Sequence, residues 1–149
     1  MPPVAKTRMP ARWAQIKVAA TVVGYRTDRF PAFWSRTSEL AVPLRLDSPD
    51  EVADLIRTKE ALGLGGGVLV ANPVPSADEI PAEDMKAFID TAVAEAKARG
   101  VVGKAVTPFL LSHLFEMTGG RSLATNIALV KNNAALAAQL ALSLGSRMT

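Results

Sequence analysis

Apolar positions along the chain fall into short continuous runs separated by longer, helix-spaced stripes. The runs at 18–25, 42–46 and 68–71 are bounded by turn residues, which predicts three short buried strands. The last run follows the glycine-dense turn Gly65–Gly67, where backbone of positive φ is accessible, and stops at Asn72-Pro73. Proline cannot donate a hydrogen bond to a neighbouring strand, so this strand ends where the Asn72 amide emerges.

Four segments carry apolar residues at helical spacing. The pattern predicts helices at Pro49–Leu62, at Pro81–Arg99, from Thr107 to a stop at Gly119-Gly120, and at Leu123–Leu144. Ser48 and Glu51 match the capping box that opens the first helix. Ser122 is the predicted cap of the last helix, which is rich in alanine and leucine and must pack closely against neighbours.

Strands followed by helices predict an α/β fold in which helices cover a sheet. Three strands are few for such a fold, and this many apolar helices leave faces that other polypeptide must cover. We therefore expect a partial three-layer α/β/α sheet with a helix-rich C-terminal part, an incomplete domain.

Composition sets limits on the class of protein. The 149 residues are 49% hydrophobic, which suits one sizeable core, and the absence of cysteine excludes disulfides and a cysteine nucleophile. The net charge of +3 is spread along the chain and does not imply nucleic-acid binding. Residues 1–20 form a basic, proline-containing segment that lacks the apolar core of a secretory signal. With no run long enough to span a bilayer, we expect a soluble protein without a membrane partner.

Amide side chains on the last predicted helix are the main candidates for a binding role. Asn126 precedes the block Lys131-Asn132-Asn133 by five positions, on an otherwise apolar helix. A buried amide without a partner costs on the order of 1–3 kcal/mol, so these groups bond either to neighbouring backbone or to a polar ligand. For Asn72 the alternatives are a local cap at the strand end and a side chain lining a cleft.

Generic catalytic patterns are weak in this chain. The single histidine, His113, lies between leucines inside a predicted helix and is interpreted as structural or exposed. The triple glycine precedes a strand, whereas phosphate-binding loops follow one and open a helix. Asp28, Asp47 and Asp50 lack metal-ligand spacing and are interpreted as turn or cap residues, so no metal ligand and no catalytic residue is identified.

Four blocks of the sequence carry a resemblance to a known family. They are VVGYRTDRFPAFWSR at Val22–Arg36, VPLRLDSPDEVADLI at Val42–Ile56, and TGGRSLATNIALVKNNAALAA at Thr118–Ala138, together with LGLGGGVLVANPVP at Leu62–Pro75. In their order along the chain they resemble the C-terminal half of the pseudouridine-5′-phosphate glycosidase family, also called the indigoidine synthase A family. The resemblance covers 21–144, and members of the family are about twice as long as this chain.

The resemblance implies an activity and the position of its parts. Members reversibly cleave pseudouridine 5′-phosphate to uracil and ribose 5-phosphate with a divalent metal, usually Mn²⁺, and form trimers of an α/β/α fold. Their Schiff-base lysine, acid glutamate and metal-binding aspartate lie in the half that precedes the matching region. Asn126 matches the asparagine of the motif SLxxNIALVxNNAxLA that is implied in recognition of the base, and an amide complements the donors and acceptors on one edge of uracil.

Two hypotheses follow. The first is a cytoplasmic glycosidase chain, 21–149, that supplies the base-side wall of the cleft and subunit contacts but is inactive alone. The second is a non-catalytic remnant or interaction module of the same family. Cleavage of a carbon–carbon glycosidic bond needs an activated amine and an acid, and Lys6 is a weak candidate for that amine because the surrounding family sequence is absent.

Overall fold

A computed structural model describes residues 20–146, which form a parallel sheet and helices packed on it. The elements in chain order are β1 (Ala20–Tyr25), β2 (Arg45–Leu46), α1 (Pro49–Ala61), β3 (Gly67–Ala71), α2 (Ala82–Ala98), α3 (Val106–Met117) and α4 (Arg121–Gly145). Single turns of 3₁₀ helix lie at Ser76–Asp78 and Gly103–Ala105. The predicted α/β class with four helices is confirmed, and the structure shows that the sheet is parallel.

The three strands lie in the order β2-β1-β3, all parallel, with α1 crossing from one edge strand to the other. Val23 of β1 pairs with Val70 of β3, so their side chains lie on the same face of the sheet. On that face they pack with Val52 of α1 and Leu136 of α4 to form the first core. On the opposite face Leu69 is 52% exposed, although parallel sheets are ordinarily covered on both sides.

A second core lies between α2, α3 and the loop before α2. Its buried residues are Ile80, Met85, Ala92 and Leu114, with Trp34 packed at its margin. Helix α4 contacts both α1 and α3, so it joins the two cores. Burial along α4 follows this arrangement, since Ser122, Thr125, Leu129 and Leu136 are its buried residues.

Two boundary predictions are wrong in detail. The predicted strand 42–46 is reduced to Arg45–Leu46, because Pro43 has no N–H and Val42 donates its own N–H to the Asp28 carbonyl across a tight loop. Ser122 is not the cap of α4. That helix begins at Arg121 after the left-handed Gly120, and the Ser122 N–H is bonded to the Thr118 hydroxyl. Residues 18–19 of the predicted first strand, and the basic segment with Lys6, lie outside the described residues.

Helix α4 is unusually apolar for its exposure. By length and composition it could cross a membrane, with a mean hydropathy of 1.3, yet only 6% of that window is buried. Its polar residues argue for a different role, because Thr125 and Asn132 are hydrogen-bonded to loops of this fold. The exposed apolar residues confirm that helix faces are left uncovered within 20–146, as expected for an incomplete domain.

The capping box of α1 is present as predicted. The Ser48 hydroxyl accepts from the Glu51 N–H at 3.2 Å, and the Glu51 carboxylate accepts from the N–H groups of Asp47 and Ser48 at 2.7 and 2.9 Å. These backbone donors hold the pKa of Glu51 below its ordinary value of 4.5. The carboxylate therefore stabilises the fold fully above that ordinary pKa, and the stabilisation is lost as pH falls through the lowered one.

Ser48→Ala is expected to lower the free energy of unfolding by about 1 kcal/mol, because the first turn of α1 loses its side-chain acceptor.

Glu51→Gln should lower the free energy of unfolding at neutral pH and make that free energy less sensitive to acidification below pH 4.5. Urea denaturation at pH 7 and pH 4 measures both effects. Ser76→Ala, which removes an exposed hydroxyl at a 3₁₀ turn, is the control, and an equal loss in that variant would contradict the capping argument.

Candidate functional site

The carboxyl ends of the three parallel strands lie at one edge of the sheet, where ligands of α/β proteins usually bind. The chain leaves β3 at this edge through Asn72 and Pro73. The glycine turn at 65–67 lies at the other end of β3. There the Lys59 ammonium donates to the Gly65 carbonyl at 3.4 Å, so the triple glycine serves entry into the strand, as its position before β3 predicts.

The side chains of Asn132 and Asn133 form hydrogen bonds between α4 and the loop that follows β3. Asn132 Nδ2 donates to the Pro73 carbonyl at 3.0 Å. Asn72 Nδ2 donates to Asn133 Oδ1, also at 3.0 Å. Of the two alternatives drawn from the sequence, bonding within the protein is therefore correct for this pair. Asn72 is not a local cap of its own backbone, since its amide reaches across to α4.

Asn126 differs from the other two helix asparagines. It is half-buried, and within residues 20–146 its side chain makes no hydrogen bond. It lines a pocket of about 240 Å³ together with Trp34, Leu111, Ser112, Phe115, Ser122 and Leu123. A free amide at the rim of an apolar pocket is equipped to bind a planar polar ligand, since it offers one donor group and one acceptor.

Trp34 is held firmly in the wall of this pocket. Its indole Nε1–H donates to the Ser122 carbonyl at 3.1 Å, and its ring meets Phe33 edge-on with the centroids 4.7 Å apart. Phe33 has a φ of 66°, which is strained backbone for an aromatic residue. Such strain is tolerated where surrounding contacts impose it, and it is common beside functional sites.

The loop that carries Trp34 is tied to the segment before α2. The buried Ser35 hydroxyl donates to the Ile80 carbonyl at 2.7 Å, and the Arg36 guanidinium donates to the Val74 carbonyl at 2.6 Å. Thr125 of α4 donates to the Asp78 carbonyl at 2.8 Å in the same region. Hydrogen bonds therefore hold the pocket wall in place on the side formed by this loop and α4.

A second groove of about 530 Å³ lies on another side of α4, lined by residues that include Asp78, Ile127, Lys131 and Asn132. It is larger, but it is open and its Asn132 amide is already bonded to Pro73. The aromatic walls and the free Asn126 amide make the first pocket the better candidate for a planar ligand, despite its smaller volume.

His113 lies at the contact between α3 and α2, as expected for a structural histidine. Its Nε2 is 2.5 Å from a Glu95 carboxylate oxygen, and its ring stacks on Phe109 with the centroids 5.6 Å apart. The Arg99 guanidinium pairs with the same Glu95 and lies 5.5 Å from the centre of the Phe109 ring. These contacts join the two helices, and His113 is not among the residues that line the Asn126 pocket.

The acidic residues noted in the sequence have structural roles. Asp28 and Asp47 lie 2.7 and 2.8 Å from the guanidinium of Arg45, and their hydrogen bonds, that of Asp47 first, raise the pKa of Arg45. Asp50 lies in the first turn of α1, where an acid is favoured by the helix dipole. Across residues 20–146 no cluster of three or more acidic or histidine side chains could hold a metal ion.

The sequence predicts a binding role for Asn126 but does not predict the pocket around it. Trp34 lies inside the first block of the family resemblance and Phe115 inside the third predicted helix, but neither pattern marks a pocket residue. Ser112 gave no signal. Trp34 and Ser122 are 88 residues apart in the chain, and local periodicity contains no information about such a contact.

Comparison with known proteins places the chain in a family. The family model described as indigoidine synthase A like protein matches residues 4–143. A pseudouridine-5′-phosphate glycosidase of Methylobacterium nodulans is 75% identical over 123 residues, which are 83% of this chain and 36% of that relative. One of Dinoroseobacter shibae is 59% identical over 126 residues, 85% of this chain and 41% of the relative. The chain thus spans well under half the length of these relatives.

Two solved structures are similar to this chain as well. The prealnumycin C-glycosynthase AlnA, in complex with ribulose 5-phosphate, superposes with a TM-score of 0.79 at 27% identity over 91% of this chain and 44% of that one. An indigoidine synthase A-like protein of Thermotoga maritima gives a TM-score of 0.74 at 37% identity, over 88% and 42%. On the family model and these relatives together, the chain belongs to the indigoidine synthase A family, of which it represents the C-terminal part.

Proposed function

We propose that the chain is the base-binding part of a soluble, cytoplasmic pseudouridine-5′-phosphate glycosidase. The observation on which this depends is the free amide of Asn126 in an aromatic pocket, in a chain 75% identical to a glycosidase of that name. The substrate would be pseudouridine 5′-phosphate and the products uracil and ribose 5-phosphate. AlnA supports the assignment of the sugar, since its solved complex also holds a pentose 5-phosphate.

The pocket suits the base half of this substrate. Uracil is a flat ring with adjacent N–H and carbonyl groups, and the Asn126 amide can pair with one of each. The rings of Trp34 and Phe115 offer apolar surface for its faces, and the Ser112 hydroxyl offers another hydrogen-bonding group. In this role the chain binds and orients the base while the C–C bond is cleaved elsewhere in the cleft.

The reactive groups are expected outside the described residues. Opening the sugar and drawing electrons into an iminium needs an amine of lowered pKa and a positioned acid. The pocket lining contains neither a lysine nor a carboxylate among the described residues. The family resemblance assigns both groups, with the metal-binding aspartate, to the preceding part of the domain.

Manganese and a trimeric assembly belong to the proposal on the same basis. The described residues do not fit a resident Mn²⁺, since they contain no ligand cluster. We therefore assign the metal to the preceding part of the domain, and trimer contacts to the complete domain. No step of the proposed role of Asn126 depends on either.

Reconstitution tests the function. The chain should release no uracil from pseudouridine 5′-phosphate and Mn²⁺ alone, but should do so when the preceding part of the Methylobacterium nodulans glycosidase is supplied by co-expression. Borohydride with ribose 5-phosphate should then trap a covalent adduct on a lysine of the added part, located by mass spectrometry. Absence of uracil and of an adduct in the reconstituted sample would favour the non-catalytic remnant.

Asn126→Ala in the reconstituted enzyme is expected to reduce uracil release by about 30-fold, because two hydrogen bonds to the base are lost. Its free energy of unfolding should change by less than about 0.5 kcal/mol, since the amide has no partner in the fold. Denaturation and uracil assays on the same preparation measure both.

Asn132→Ala is the matched control on the same helix. Its loss of the bond to Pro73 should cost about 1 kcal/mol of stability. If Asn126→Ala instead destabilised the protein by several kcal/mol with unchanged uracil release, Asn126 would be a structural residue.

A further inference from the structure

One side of α4 presents a continuous apolar stripe to solvent. Its residues are Leu123, Ile127, Val130, Ala134, Ala137 and Ala141, hereafter the α4 stripe, and all are exposed. Leu123, Ile127 and Val130 are 48, 46 and 60% exposed. Exposed apolar residues scattered singly need no explanation, but six in line on one helix do.

The spacing of the stripe is that of a helix–helix seam. Successive members are four, three, four, three and four residues apart, the alternation that keeps side chains in register with a second helix. The buried face of α4, with Thr125, Leu129 and Leu136, repeats similarly on a different side. Helix α4 is thus built to pack on two sides, of which the described chain covers one.

The stripe runs directly into the candidate site. Leu123 is both its first member and a lining residue of the Asn126 pocket, next to Phe115, which is 45% exposed. Polypeptide that covered the stripe would therefore also close the pocket on its open side. A lipid surface does not fit, because Lys131 and Asn133 are exposed on the same helix at mid-length.

The length of the relatives indicates which polypeptide covers the α4 stripe. The chain corresponds to 36 and 41% of the two glycosidases and to 44 and 42% of the two solved structures, so more than half of each lies outside the match. We infer that the α4 stripe is the docking surface for that preceding part of the family domain, which packs on it through an apolar helix. This inference depends on family membership and not on the proposed activity.

The test is co-purification. The full chain is co-expressed with the tagged preceding part of the Methylobacterium nodulans glycosidase, and recovery of the chain on the tag is measured. Val130→Asp and Ile127→Asp should each reduce recovery by about tenfold or more, because a carboxylate would be desolvated in an apolar seam. Ala135→Asp places the same charge at an exposed position outside the stripe and should leave recovery unchanged.

Thermal unfolding of each variant alone separates docking from folding. Because Val130 and Ile127 are exposed, both variants should melt within about 2 °C of the unmodified chain. Absence of co-purification, or equal recovery of all variants, would overturn the inference. So would a dimer of the chain alone that Val130→Asp dissociates, since the occupant would then be a second copy. None of these outcomes involves uracil release, so the proposed function is tested separately.

Because the chain has no cysteine, the maleimide reactivity of a single introduced cysteine gives a second test. Val130→Cys should react rapidly with a maleimide in the isolated chain and at least about tenfold more slowly in the complex, because docking would bury the thiol. Ala135→Cys should react at the same rate in both. Equal rates for Val130→Cys with and without the partner would also contradict docking on the stripe.

Discussion

The arrangement of the described chain depends on α4, which must satisfy two hydrophobic cores at once. Leu136 packs in the core against the sheet, while α4 also contacts α3 beside the second core. Between these contacts the hydrogen bond from Asn132 to Pro73 sets the position of α4 against the carboxyl end of β3. A shift of the helix along its axis would break all three contacts, so the position of Asn126 is fixed by packing elsewhere.

Most of the secondary structure could be predicted because its signals are local. Ser48, Pro49 and Glu51 lie within four residues and together form the start of α1. The left-handed Gly119 and Gly120 end α3 where the sequence predicts a stop. The start of α4 was misassigned because Thr118, four residues upstream, supplies the hydroxyl that Ser122 was expected to supply. A local rule cannot decide between two hydroxyls that both lie near the same helix end.

The candidate site could be predicted only in part, for a physical reason. Asparagines on an apolar helix signal unmet hydrogen bonds, but the identity of their partners depends on which loops the fold brings near. Asn132 and Asn133 meet the loop after β3, some 60 residues earlier in the chain, while Asn126 meets none. An asparagine amide is therefore structural at Asn132 and Asn133, whereas at Asn126, about two turns away, it is available to a ligand. The family resemblance predicts a base-binding role for Asn126 alone, a distinction that composition and spacing could not make.

The pocket and the α4 stripe are consequences of one incomplete surface. An exposed apolar stripe favours association, because each Å² of apolar surface that is buried contributes about 25 cal/mol of favourable free energy. In the proposed role the half-open pocket would bind a base weakly, because water would compete for the Asn126 amide. Leu123 belongs to both features, so covering the stripe would strengthen base binding without any new contact to the base. In these proposed roles, base recognition and domain completion would be coupled through α4, and binding of the base should in turn favour the completed domain.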